Sequence, residues 1–296
     1  MSAKNNIQFV KPTAASLEQL LAVHSKSYVE GLRNRSIHWV DEETRVFCNT
    51  FDVASLSAGA AIDASITALR THSTTLALAR PPGHHAGISS GGGFCYFNNV
   101  AIAAKHANLD RVAIVDIDVH HGNGTSEIFF DDSKVLYIST HQRGIYPGTG
   151  KIEEIGRGEG LGFNLNIPVR SGSGDATFGY AADSLIMPVL QQYRPKMVLV
   201  SLGIDSHYMD PLASLSLSTP GYLELVRKIC SLTSSSSLIL EGGYNVEAIS
   251  DVINGIAREN DASGAEAQFR ESTDRLCVGQ ADVSAAINYF SSYWSL

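Results

Sequence analysis

The chain has little cysteine: Cys48, Cys95, Cys230 and Cys277 are its four, widely separated and with no C-x-x-C pair. That scatter argues against a disulfide framework or a closed structural zinc knot, and it suits a reducing compartment. Basic residues are scarce too. Lys and Arg number 22 against 30 Asp and Glu, a formal charge of −8, with an isoelectric point near 5.6. No surplus of cations is left to neutralise phosphates, which argues against direct nucleic-acid binding. The acidic balance is compatible with a cationic substrate, although net charge alone steers only weakly. No apolar run approaches the roughly 20 residues of a membrane span. The opening MSAKNNIQFVKPTAAS has neither the apolar stretch of a signal peptide nor the Arg-rich character of a transit segment. The expectation is an intracellular, cytoplasmic protein (nuclear also, if eukaryotic) without a membrane partner. What the chain does have is an ordinary globular composition, 44% hydrophobic and 18% charged with mean hydropathy +0.01. Its 296 residues can bury a sizeable core.

There is no internal repeat and no long linker, and the serines Ser234–Ser237 read as a loop. Five short apolar runs each end in polar residues: Thr75–Ala79 before RPPGHH, Val112–Val115 before DIDVHH, Val135–Ile138 before STH, Met197–Leu202 before GID, and Leu238–Leu240 before EGGYN. Helix-like segments lie between them at Ala54–Leu69, Asn98–Ala107, Ala176–Tyr193 and Pro220–Leu232. Thr219 is a plausible N-cap for the last, with Pro220 opening it. This alternation predicts an α/β fold, a parallel sheet sandwiched between helices, as one domain over 1–296 with a closing segment at 246–296. Ligands of such sheets bind outside the carboxyl ends of the strands. The polar strand ends therefore converge on one rim.

Asp116-Ile-Asp118-Val-His120 alternates polar and apolar residues. Extended backbone would send Asp116, Asp118 and His120 one way and Ile117 and Val119 the other. A carboxylate and an imidazole two positions apart can share an ion, and Asp205, after another apolar run, can supply a third ligand. Two carboxylates and an imidazole leave a fourth position for water, the form of a catalytic zinc site. Fe(II) or Co(II) would also suit the donor set. A single strand-end Asp more often caps a turn; the D-x-D-x-H pattern is what favours the metal.

His84 and His85 follow the rigid turn Arg-Pro-Pro-Gly, and imidazoles beside such a site suit acid/base work. Asp116 and Asn123 are the available acceptors for their second nitrogens, and a carboxylate on one with an amide on the other would make the two unequal. Tyr244 follows two glycines and could donate to an oxyanion. Phe94 and Tyr146 could wall a narrow apolar slot. His207, two residues past Asp205, could point into the same cavity. Gly87-Ile-Ser-Ser-Gly91 matches G-x-S-x-G but lacks the strand and helix that a nucleophile elbow needs. The glycines at 156–162 read as a hairpin or loop rather than a phosphate cradle.

RPPGHHA, GGGFCYFNN, DIDVHHGNGT, YPGTG, the stretch from Asp205 to Leu212 and LEGGYN occur in that order. From about Leu20 to Asn245 the chain resembles the metal-dependent histone deacetylases, of the arginase/deacetylase fold. HHGNGT and LEGGYN are closest to the class II and prokaryotic branch. The resemblance implies a zinc-dependent amidohydrolase, sensitive to hydroxamates, that removes acetyl groups from acetyl-lysine in proteins or peptides. It implies Asp118, His120 and Asp205 as zinc ligands, His85 as general base and His84 as its electrostatic or acid partner. Tyr244 would polarise the amide carbonyl. Gly93 would accept from the substrate amide, and Phe94 and Tyr146 would flank the acyl-lysine tunnel. Asp116, Asp118, His120, Ser139 and Thr140 match positions around a structural K⁺. Leu212 stands where polyamine-preferring relatives carry an acidic gatekeeper, which favours acetyl-lysine over acetylpolyamine. A silent acetyl-lysine-binding scaffold is the alternative from another class, and a binuclear ureohydrolase would need more carboxylates around Asp205. The family's H-P-E-like opening segment has no counterpart here.

Overall fold

The computed structural model describes residues 7–259, 274 and 277–296; the rest of the closing segment expected at 246–296 lies outside the described residues. Six strands form one sheet: β1 (Thr74–Ala77), β2 (Val112–Asp116), β3 (Val135–Gln142), β4 (Asn164–Val169), β5 (Met197–Leu202) and β6 (Ser236–Leu240). Their spatial order is β1-β6-β5-β2-β3-β4, and every pairing is parallel. Because side chains alternate, one strand feeds two core layers. Ala113, Val115, Leu136, Ile138, Val198, Val200, Leu238 and Leu240 enter one layer. Val112, Ile114, Val135, Met197, Leu199 and Ile239 enter the other. Phe178, Val189, Ile229, Val252 and Phe290, on helices of the second half of the chain, close the first layer. Leu32, Ala58, Ile62, Val100 and Ile102, on helices of the first half, close the second. Each large aliphatic side chain so buried contributes about 1.5–3 kcal/mol.

β4 is the strand that the apolar-run reading does not find. Its sequence NLNIPV is apolar on one face only: Leu165, Ile167 and Val169 enter the core. Asn164 and Asn166, on the other face, donate to the Glu154 carbonyl, and Asn166 also to that of Lys151. A loop covers that face, so no second apolar row was required. The sheet edge also tolerates Pro168.

Other boundaries shift for local reasons. Ser236 and Ser237 belong to β6 rather than to a loop. Ser218, not Thr219, caps Thr219–Cys230, its Oγ accepting the Gly221 N–H at 3.2 Å. The expected helix at 176–193 contains a wider π-type segment, Ala182–Ile186, where the Met187 N–H reaches the Ala182 carbonyl. Pro188 explains it: the ring has no N–H and crowds the carbonyl of Ser184, so the turn before it must widen.

β2 lies between β3 and β5. The chain builds outward from β2 through β3 and β4, then returns to β5 on the opposite side. Strand order reverses there, which opens a crevice at the carboxyl ends of β2 and β5. Leu199 of β5 is fully buried, and Leu199→Ala is expected to cost about 2–5 kcal/mol. Urea unfolding should show this as a lower midpoint at an unchanged slope.

Candidate active site

β2 ends at Asp116, and residues 118–120 bend rather than extend, so the expected straight D-x-D-x-H strand is not formed. The inward–outward alternation still holds. Ile117 and Val119 are fully buried in the core, while Asp118 and His120 face the turn after β5. There His120 Nδ1 lies 3.1 Å from Asp118 Oδ1 and 3.3 Å from Asp205 Oδ2. One donor atom from each of the three falls within 4.8 Å of the others.

Backbone amides hold the carboxylates in place. Gly242 N–H donates to Asp118 Oδ2 at 2.8 Å, and Val119 N–H to Asp205 Oδ1 at 3.0 Å. Asp205 Oδ2 is buried and makes no hydrogen bond. Gly242 floors the cluster, since a Cβ there would collide with Asp205 and lie 2.6 Å from Asp118 Oδ2. Two buried carboxylates, one of them with an orphaned oxygen, and an imidazole are a donor set that fits a divalent cation.

The electrostatics agree. Burial, with Asp118 beside it, raises Asp205 to about 6. Burial opposes ionisation of Asp118 as well, but His84 and His120 outweigh it and hold Asp118 below the usual carboxylate range. Burial would lower His120, yet its bond to Asp118 and the nearby carboxylate of Asp205 push it up to about 10.

The two adjacent histidines sit 4.1 Å apart, ring to ring, on a turn fixed by Glu241, whose Oε2 accepts the Gly83 and His84 N–H groups at 2.6 and 3.1 Å. His84 Nδ1 pairs with Asp116 Oδ2 at 3.1 Å, and His85 Nδ1 with Asn123 Oδ1 at 2.8 Å. Both acceptors anticipated from the sequence are thus used, one per ring. Burial lowers His84, but Asp118 and Asp116 carry it well above the ordinary imidazole value. Burial and the neighbouring charge of His84 press His85 well below it. An amide oxygen can only accept, so His85 carries its proton on Nδ1 and leaves the Nε2 lone pair free.

The slot above is aromatic. Tyr146 stands edge-on to His85 with ring centres 5.0 Å apart, and Phe94 meets Tyr244 at 6.1 Å. Gly92 and Cys95 exchange both backbone hydrogen bonds, closing a two-residue turn with Gly93 at φ 53° and Phe94 at φ 67°. The left-handed backbone at Phe94 costs about 1–2 kcal/mol. Gly93 is required, because a Cβ would strike the His85 ring and lie 2.9 Å from Tyr146 Cε1. Tyr244 is fixed by its N–H, which donates to Asp210 Oδ2 at 2.6 Å, and burial raises its phenol so that it keeps its proton. Leu212 is exposed on the turn that Asp210 opens through the Leu212 N–H.

Not every candidate faces the cleft. His207 is buried against Tyr222, with its nitrogens engaged by Thr219 Oγ1 and the Met209 N–H, so the expectation that it could enter the cavity is corrected. Ser139 Oγ pairs with His141, while Thr140 Oγ1 is buried without a partner. Gly87–Gly91 is a bend that neither follows a strand nor opens a helix, and 156–162 holds only one 3-10 turn, Gly158–Gly160. Glu241 and Asp210 carry positioning work that was not assigned from the sequence. Glu241 had a usable signal, an acid directly after an apolar run, as in Asp116. Glu241, His84 and Cys95 form a second group of donors. However, both Glu241 oxygens are taken, Oε1 by Ser201, and burial keeps the Cys95 thiol protonated, so this group is a poor ion site.

With this geometry in view, the comparisons with known proteins are specific. The profile of the histone deacetylase domain matches residues 1–259, and the chain belongs to that family. A probable deacetylase of Archaeoglobus fulgidus is 42% identical over 252 residues, covering 81% of this chain and 70% of the relative. Histone deacetylase 10, chloroplastic, of Oryza sativa subsp. japonica is 41% identical over 263 residues, covering 81% of this chain but 59% of the relative. Among solved structures, the HD domain of HDA15 superposes with a TM-score of 0.88 at 30% identity, over 97% of this chain and 83% of that one. The fold is therefore the arginase/deacetylase fold, and the chain is a deacetylase-family hydrolase.

The protonation pattern sets how an ion binds. At pH 8 a divalent ion is expected to release about one proton, from His120, and at pH 5 closer to two as Asp205 joins. Calorimetry in buffers of different ionisation enthalpy counts them. Gly242→Ala should weaken binding by about tenfold or more.

Proposed function

We propose that the chain is a zinc-dependent deacetylase that hydrolyses the amide of N-acetyl-lysine in proteins or peptides, with residues 1–296 acting as one catalytic unit. The observation that carries this reading is the inequality of the two histidines beside the Asp118–His120–Asp205 cluster. Those three residues would hold Zn²⁺, which when bound acidifies water and polarises an acyl carbonyl; Fe²⁺ or Co²⁺ could replace it. Neutral His85 takes the proton of the attacking water at Nε2, with its ring held by Asn123. Cationic His84, paired to Asp116, stabilises the charge that develops nearby. Tyr244 donates its hydroxyl hydrogen to the carbonyl oxygen as that oxygen becomes an anion. The departing amine takes its proton from a histidine and leaves as a free lysine, with acetate as the other product. Phe94 and Tyr146 hold the aliphatic stem, and the Gly93 carbonyl accepts from the substrate amide. The main-chain oxygens of Asp116, Asp118 and His120, with Ser139 and Thr140, would hold K⁺. Neutral, exposed Leu212 favours a lysine side chain over a polyamine.

Tyr244→Phe is expected to lower turnover of an acetyl-lysine peptide by about 10²–10³ with peptide affinity largely kept. Wild-type turnover should stop with a chelator and return with Zn²⁺. Turnover of an acetylpolyamine alone would contradict the assignment of Leu212. Zinc-loaded protein that binds the peptide without releasing acetate, unaffected by Tyr244→Phe, would establish a silent binder instead.

A further inference from the structure

Residues 38–46 form a short hairpin at the rim. Val40 and Val46 N–H groups donate to Thr44 and His38 carbonyls at 3.0 and 2.8 Å, and Trp39 bridges Arg45. Its tip reaches the slot described above. Asp41 Oδ1 accepts the Glu43 and Thr44 N–H groups at 3.0 and 2.6 Å. Asp41 Oδ2 accepts the Gly93 N–H at 2.7 Å and the Tyr146 hydroxyl at 3.4 Å. Thr44, itself buried, accepts the Phe94 N–H on Oγ1 at 3.0 Å. Two consecutive left-handed residues turn their N–H groups the same way, making a small concave donor pair that suits an anion. Here the anion is a side chain from another loop.

We infer that Asp41 is the positioning residue of the acyl-chain slot: its carboxylate, with the Thr44 hydroxyl, holds the Gly93–Phe94 turn and Tyr146 at the spacing that a lysine-length chain requires. The inference rests on the proposed function for the substrate class, and it adds which residues set the slot. Asp41 does not reach the reacting atoms; it acts through Gly93, Phe94 and Tyr146. Four donors converge on its two oxygens, two on each. An amide cannot replace it, because whichever way Asn turns, its NH₂ faces donors. The carboxylate is needed for its acceptor capacity. Thr44 needs only a hydroxyl, so Ser should serve and Val should not.

The test compares zinc-loaded wild type with Asp41→Asn, Thr44→Val and Thr44→Ser. Asp41→Asn and Thr44→Val should raise KM for an acetyl-lysine peptide by about tenfold while kcat stays within about threefold. Thr44→Ser should restore most of the loss. A hydroxamate on an aliphatic chain of lysine length should bind the first two variants about tenfold more weakly, whereas acetohydroxamate, too short to touch the rim, should bind all four alike. Amide exchange at 91–97 should quicken in Asp41→Asn. An unchanged KM and long-chain affinity would overturn the inference. So would an equal loss for both hydroxamates, since it would make the effect one of general folding or metal binding. A wild type that binds both hydroxamates but releases no acetate would sink the proposed function instead, and the hydroxamate pair would still decide the role of Asp41.

Discussion

Asp116, Asp118, Asp205 and Glu241 bring four carboxylates to the carboxyl ends of β2, β5 and β6, each at most 1% exposed. Among the described residues their ion pairs are with His84 and His120 alone. Unpaired, buried charges of one sign are expensive, and a protein keeps them only where something offsets them. Amides of Gly83, His84, Val119 and Gly242 supply part of the offset. The parallel sheet makes this possible, because every strand delivers its terminal polar residue to the same edge. The glycines follow from the same crowding, since no side chain fits where Gly242 lets the carboxylates meet.

The distribution of that charge separates the histidines. His84 sits over Asp116 and Asp118 and takes up positive charge; His85, one residue on, faces an amide and the positive His84 and remains neutral. Acid and base character thus arise from two neighbours on one turn, through the groups placed opposite each ring. The aromatic slot adds selection by shape to selection by charge. One of its walls, Phe94, sits on a strained turn, which holds because Asp41 and Thr44 accept the Gly93 and Phe94 N–H groups.

Much of this was legible in the chain. Short apolar runs ending in His, Asp or Tyr located most strands and the rim, and D-x-D-x-H named two members of the candidate metal cluster. The pairing of His84 and His85 with Asp116 and Asn123 was also accessible, because each imidazole needs an acceptor and few are nearby. What escaped notice obeys other physics. β4 hides its strand character because Asn164 and Asn166 serve loop carbonyls instead of a second core layer. The widened turn before Pro188 reflects one missing N–H. Asp210 and Asp41 lie far in sequence from Tyr244 and Gly93, and only folding shows what their oxygens accept. His207, two residues past Asp205, could have entered the cavity, yet its nitrogens are engaged elsewhere.

In the proposed function, the buried charge at the strand ends holds a cation among Asp118, His120 and Asp205. Anomalous diffraction at the zinc edge from crystals grown with Zn²⁺ tests this most directly. One strong peak is expected in contact with His120 Nδ1 and the orphaned Asp205 Oδ2, with Asp118 completing the protein ligands. A peak at His84, Cys95 and Glu241 instead, or full zinc binding at surface sites with none among these three residues, would contradict it.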